Sequence, residues 1–273
     1  VVRFGLPGTD RLKNGEWIVE IDLNADLGEG FGPYRMGEDE AMLDIVSSAN
    51  VACGYHAGDP VIMDKTVRMA LARKIDVGAH VGFPDLMGFG RRQIQADPLE
   101  LANYVVYQMG ALAGIAKAAG HRVTHMSFHG ALGNMAAASY ELAEPLVRAV
   151  AEFDRDLIIS VSTNTEIERA ADHIGIRTAN TFLADRAYDD QGALVSRKLE
   201  GAVIKDRAAV LARVKELLEE GTITTIAGNK LKVAVQSILL HGDTPGAVEL
   251  ARTVRGVIES AGGRVVPVSK LVR

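Results

Sequence analysis

The chain has one cysteine, Cys53, so no internal disulfide can staple it. No apolar run approaches the roughly 18–20 residues of a membrane span. There is no dense Lys/Arg tract, and the net charge is -5. Both argue against a nucleic-acid partner. The opening residues lack the charged-then-apolar pattern of a secretory signal. Three chemical signatures are missing as well: a Walker-type Gly-x-x-x-x-Gly-Lys-Ser/Thr, a His-Glu-x-x-His helix, and a Cys/His pair of zinc-finger spacing. These absences leave a soluble, cytoplasmic protein of enzyme size as the expectation.

What is present is a repeated design. Glu20–Gly30 starts as a strand and ends in Asn24, Asp26 and Glu29 among glycines. Asn50–Asp59 ends in Cys-Gly-Tyr-His-Ala-Gly-Asp, Asp76–His80 in Val-Gly-Ala-His, Val123–Gly130 in Ser-Phe-His-Gly, and Ile238–Asp243 in His-Gly-Asp. Apolar strands that end in His, Asp and Gly place chemistry-bearing side chains at one end of a sheet.

Strands are expected at Ile18–Leu23, Ser48–Ala52, Asp76–Ala79, Arg122–Phe128, Leu157–Val161, Thr178–Phe182 and Ala234–Leu240. Helical segments alternate with them. Asp59-Pro60 and Asp97-Pro98 each supply an N-cap followed by Pro at the first helical position. Further helices fit Glu38–Val46, Tyr140–Glu152, Thr165–Ile174, Arg207–Glu219 and Pro245–Ala261. Alternation of this kind specifies parallel strands with helices outside. About seven units in 273 residues, 48% of them hydrophobic, favour a distorted (β/α) barrel over residues 18–273 as a single domain. Residues 1–17 read as an N-terminal extension or loose hairpin, and an open doubly wound sheet is the runner-up. In a barrel, strand-end residues converge on the C-terminal face.

That convergence selects His56, His80, His129 and His241 as acid–base candidates. His125 alternates with Ser127 and His129 and is expected lower in the barrel, as a core residue. Asp26 has no capping duty and is the leading carboxylate; Asn24 and Glu29 are its support. Asp59 and Asp243 compete with helix-capping roles. Asp26, His56 and His80 form a metal set if the fold juxtaposes them. Arg91, Arg186 and Arg197 are cationic partners for a carboxylate or phosphate. Asp185 and Tyr188 sit in a long polar loop of the kind that carries function.

The motifs Ile21–Glu29, Ser48–Asp59, Gly78–His80, Phe83–Asp85, Phe89–Arg91, Ala184–Tyr188, Leu194–Arg197 and Leu240–Asp243 occur in order and resemble the LamB/YcsF lactam-utilisation family. The resemblance runs from about Ile18 to the C-terminus. It implies a seven-stranded barrel similar to the glycoside hydrolase/deacetylase superfamily. It also implies ATP-dependent hydrolysis of 5-oxo-L-proline to L-glutamate with ADP and phosphate, in concert with the B and C subunits of a 5-oxoprolinase. As pocket residues it implies Asp26, His56, His80, His129, Asp185, Arg186 and His241.

Three departures from the family pattern fall in the expected pocket. Ser127-Phe-His-Gly130 replaces Lys-Pro-His-Gly, Ala131-Leu-Gly133-Asn replaces Ala-Leu-Tyr-Asn, and His80-Val81-Gly82-Phe replaces His-Pro-Ser-Phe. Two alternatives therefore stand beside the oxoprolinase expectation. One is a divergent metal-assisted hydrolase of the same fold acting on another small cyclic amide. The other is a non-catalytic paralogue.

Overall fold

The computed structural model describes residues 9–11, 17–242 and 246–272. Seven parallel strands close into a barrel: β1 (Trp17–Leu27), β2 (Ser48–Ala52), β3 (Asp76–Val81), β4 (Val123–Phe128), β5 (Ile158–Val161), β6 (Arg177–Leu183) and β7 (Ser237–His241). Each strand pairs with the next, and β1 also pairs with β7, with Asp26 opposite His241. The closed barrel, rather than the open sheet, is therefore the architecture.

Helices α1 (Asp39–Leu43), α2 (Pro60–Arg73), α3 (Pro98–Ala118), α4 (Gly130–Ala138), α5 (Tyr140–Phe153), α6 (Glu166–Ile174), α7 (Arg207–Glu220), α8 (Ala247–Ser260) and α9 (Val268–Leu271) accompany it. Asp59 and Asp97 cap α2 and α3 as their sequences specify. Of the expected N-terminal extension, Thr9–Arg11 pairs antiparallel with the start of β1, and residues 1–8 and 12–16 lie outside the described set. Asp243 also lies outside it.

Period-2 alternation divides β1 into two faces. Ile21, Leu23, Ala25 and Leu27 belong to the apolar cluster around the barrel. Asp22, Asn24 and Asp26 alternate with them and are buried with polar partners. A (β/α)8 barrel interior is ordinarily filled by branched apolar side chains; here much of it is hydrogen-bonded. Asp22 accepts from Ser47 at 2.7 Å and Ser237 at 2.6 Å. Asn24 donates to Asn50 Oδ1, which also meets His125 Nε2 at 3.0 Å, and Asn50 Nδ2 donates to Asp26 at 2.9 Å. Buried polar groups persist only when paired in this way.

This polar interior explains why β1 runs four residues beyond its expected end at Leu23: Asn24 and Asp26 look like loop residues but point inward. Helix α4 goes beyond the elements expected from sequence. Gly130, Gly133 and the surrounding small residues carry little helix signal, yet they let α4 lie close to β4. A Cβ on Gly133 would come within 2.7 Å of the Phe128 carbonyl oxygen.

Candidate active site

At the C-terminal end of the barrel a cavity of about 140 Å³ is lined by Asp26, His80, Arg91, Ser127, His129, Ser160, Thr181, Arg186, Arg197 and His241, among others. Its two sides differ chemically.

One side is a cluster of buried imidazoles. His80 ends β3, and its Nδ1 is 2.6 Å from Ser127 Oγ on β4. Its Nε2 is 2.9 Å from His129 Nδ1 and 3.5 Å from Asp26 Oδ1. His129 Nε2 meets the Phe89 carbonyl at 2.8 Å. A carbonyl only accepts, so the proton sits on Nε2 and the lone pair of Nδ1 faces His80. Phe89 holds its carbonyl there from a left-handed backbone, φ 53°. His56, after β2, stacks on His129 with ring centroids 3.7 Å apart. Gly90 makes room for both rings: at φ +62°, its Cβ would fall 2.7 Å from His56 Cβ and 2.8 Å from His129 Cδ2.

Burial, with the charge of His241 next, lowers the His80 pKa to about 3. Burial and His80 lower His129 to about 3. Burial followed by the charges of His129 and His80 drives His56 well below its ordinary value. All three rings are neutral near pH 7.

The other side carries charge. His241 ends β7, with Nδ1 2.8 and 3.0 Å from the Asp185 oxygens. Burial would lower the His241 pKa, but the Asp185 hydrogen bond and charge outweigh it and raise the value. Burial would likewise raise Asp185, and His241 with Arg197 outweighs that and lowers it. Neutral imidazoles with lowered pKa values thus face a histidine whose pKa its carboxylate partner raises.

The structure sorts the remaining expected residues. Asn24 lies below the cavity in the Asn50 network. Glu29 Oε1 stands 3.4 Å from His56 Nε2 and 3.8 Å from His129 Nδ1. Arg91 lines the cavity with its guanidinium over the Phe89 ring. Arg186 also lines it, but Nε and Nη2 donate to the Ala202 and Val195 carbonyls, which secures the loop after β6. Arg197 Nη2 is 3.1 Å from His241 Nε2.

Asp59 and Tyr188 are held away from the cavity by other duties. The Asp59 carboxylate accepts from Val61, Ile62 and Gly32 N–H groups, so capping takes its acceptors. Tyr188 is buried against Phe182 and accepts from Leu183 N–H, a packing position.

The metal set read from sequence also needs correction. The donors that converge, all within 4.8 Å, belong to Glu29, His56, His80 and His129. Asp26 is not among them, because Asn50 ties its Oδ1 lower on the β1 side. Asn50 itself is a site residue that the sequence reading misses, although its alternation with Ser48 on a strand marks it as inward-facing.

A parallel barrel with a histidine–carboxylate pocket over its strand ends has the architecture of a (β/α)-barrel enzyme. The LamB/YcsF family model matches residues 21–273, and the chain belongs to that family. It is 65% identical over 254 residues to a 5-oxoprolinase A subunit of Pseudomonas syringae pv. tomato, covering 93% of this chain and 99% of that one. It is 44% identical to the 5-oxoprolinase A subunit of Pyrococcus horikoshii, covering 93% and 100%. The crystal structure of a lactam utilization protein from Thermus thermophilus superposes with a TM-score of 0.86 at 38% identity, covering 91% and 99%. Among the described residues no helix is long and apolar enough to cross a membrane.

Proposed function

We propose that this chain is the lactam-opening subunit of an ATP-dependent 5-oxoprolinase, acting with B and C subunits on 5-oxo-L-proline to give L-glutamate, ADP and phosphate. The observation that carries the reading is the divided cavity: neutral imidazoles beside Asp26 on one side, the His241–Asp185 pair on the other, and arginines at its wall. An unstrained lactam resists water. Phosphorylation of the amide oxygen by the γ-phosphoryl of ATP makes the ring carbon electrophilic. Asp26 takes the proton of the attacking water, the ring C–N bond of the tetrahedral adduct breaks with the nitrogen taking a proton from His241, and a second water hydrolyses the resulting acyl phosphate to the carboxylate and phosphate. Arg197 and Arg91 bind the substrate carboxylate, for which guanidinium geometry is suited. The ATP step is a requirement of the reaction; no nucleotide contact is assigned to this chain. Glutamate release from 5-oxoproline by the chain with its B and C partners, with and without ATP, tests the reading.

One observation favours a second reading. Among the described residues neither ring nitrogen of the buried His56 has a hydrogen-bond partner, and His56 belongs to the converging set with Glu29, His80 and His129. Three imidazoles and a carboxylate suit a divalent ion of the zinc class, which would polarise the lactam carbonyl or acidify water. Glu29, His56, His80 and His129 would hold such an ion, with His56 and His129 now stacked on each other. Metal content of protein purified without chelators separates the two readings.

A further inference from the structure

The loop between β6 and α7 sends Arg197 back to the cavity, where its Nη2 lies 3.1 Å from His241 Nε2. On the other edge of the same ring, Nδ1 faces the Asp185 carboxylate at 2.8 and 3.0 Å. A guanidinium only donates and a carboxylate only accepts. Together they hold His241 as the neutral Nδ1–H tautomer, with the Nε2 lone pair engaged by Arg197. In that state His241 can neither accept nor deliver a proton at Nε2.

The two neighbours pull in opposite directions. Asp185 favours the imidazolium, and so does Asp26, which faces His241 across the β1–β7 register. Arg197 disfavours it, and His80 feels the His241 charge from the imidazole side. The groups also differ in anchorage. His241 ends a barrel strand and Asp185 is largely buried, whereas Arg197 is an exposed loop residue at the cavity wall. When an anion enters, it competes with His241 for the guanidinium, and a carboxylate offers a stronger, charge-assisted bond than a neutral imidazole does.

We infer that Arg197 is a carboxylate-sensing cap on His241: it engages Nε2 in the empty site, and a ligand carboxylate draws it away so that His241 takes up a proton from water. The imidazolium so formed gives that proton to the departing ring nitrogen. A lactam without a carboxylate leaves the acid capped. This deepens the lactam reading and rests on it for the ligand, but not for the cap itself.

The test follows the His241 ring by NMR in the full-length chain labelled with ¹⁵N-histidine, assigned with His241→Gln. It needs no turnover, partner protein or ATP. The parent should show the Nδ1–H tautomer. Arg197→Ala should move the His241 titration midpoint upward, and 5-oxoproline should do the same to the parent while 2-pyrrolidinone does not. An unmoved midpoint in Arg197→Ala overturns the cap. A shift in that variant, with no response of the parent to either 5-oxoproline or acetate, overturns the sensing. A response to acetate but not to 5-oxoproline leaves the cap standing and counts against the lactam reading instead.

Discussion

His80 Nδ1 lies 2.6 Å from Ser127 Oγ, at the position where the family resemblance expects a lysine. The hydroxyl can accept from Nδ1–H or donate to a bare Nδ1, whereas an ammonium only donates. Because His80 Nε2–H donates to His129 Nδ1, the Ser127 hydroxyl donates to the bare His80 Nδ1, and a lysine would make the same donation while adding charge to a buried imidazole cluster.

Replacing Ser127 by Ala should cost about 0.5–1.5 kcal/mol, the net worth of one hydrogen bond. Ser127→Lys should cost more, because a cation is then buried beside neutral rings. Urea unfolding of the three proteins checks the order. Equal stability of the lysine variant and the parent would contradict it.

Gly78 gives way to His125. A Cβ there would lie 2.3 Å from the His125 ring, which Asn50 and Thr124 hold in place. Gly78→Ala should destabilise by about 1–3 kcal/mol through overpacking. Gly114→Ala, on α3 with nothing within 4 Å, should be neutral or gain up to about 1 kcal/mol. Thermal melts of both variants decide this.

Asp22 makes one pH dependence specific. Burial raises its pKa from 3.8 to about 6, against the lowering hydrogen bonds of Ser237, Ser48 and Ser47. The folded state therefore holds a proton that the unfolded state has released. This contribution is absent below about pH 4, weakens the fold progressively as pH rises to about 6, and is complete above it. The displacement corresponds to roughly 3 kcal/mol. Asp22→Asn lacks this titration, so its stability relative to the parent should improve between pH 4 and pH 7, as read from urea midpoints. A constant difference across that range would count against the assignment.

Much of the fold was legible in sequence because strand and helix signals alternate, and Asp59-Pro60 and Asp97-Pro98 mark their helices physically. The convergence of His56, His80, His129 and His241 followed from closing a parallel barrel. What stayed hidden depends on distances between elements. Glu29 is the second residue past the end of β1, and only the fold shows it beside His56 and His129. Asp59 and Tyr188 carry site-like chemistry that capping and packing consume. Helix α4 is built from small residues whose value lies in close approach to β4, which local propensity does not register. Gly82, where the resemblance expects serine, is similar: a Cβ there would lie 2.8 Å from His56 Nδ1.

Asp26 bears the central claim. Asn50 donates to its Oδ1, a contact that asparagine's carbonyl oxygen can keep, so Asp26→Asn should fold as the parent does while losing the carboxylate proposed as the general base. The decisive measurement is ATP-dependent glutamate formation from 5-oxoproline by the chain mixed with the proposed B and C subunits, parent against Asp26→Asn. The parent should form glutamate, and the variant should do so about 10²–10⁴-fold more slowly, the range for loss of a general base. No glutamate from the parent complex, or an undiminished rate from the variant, would contradict the account.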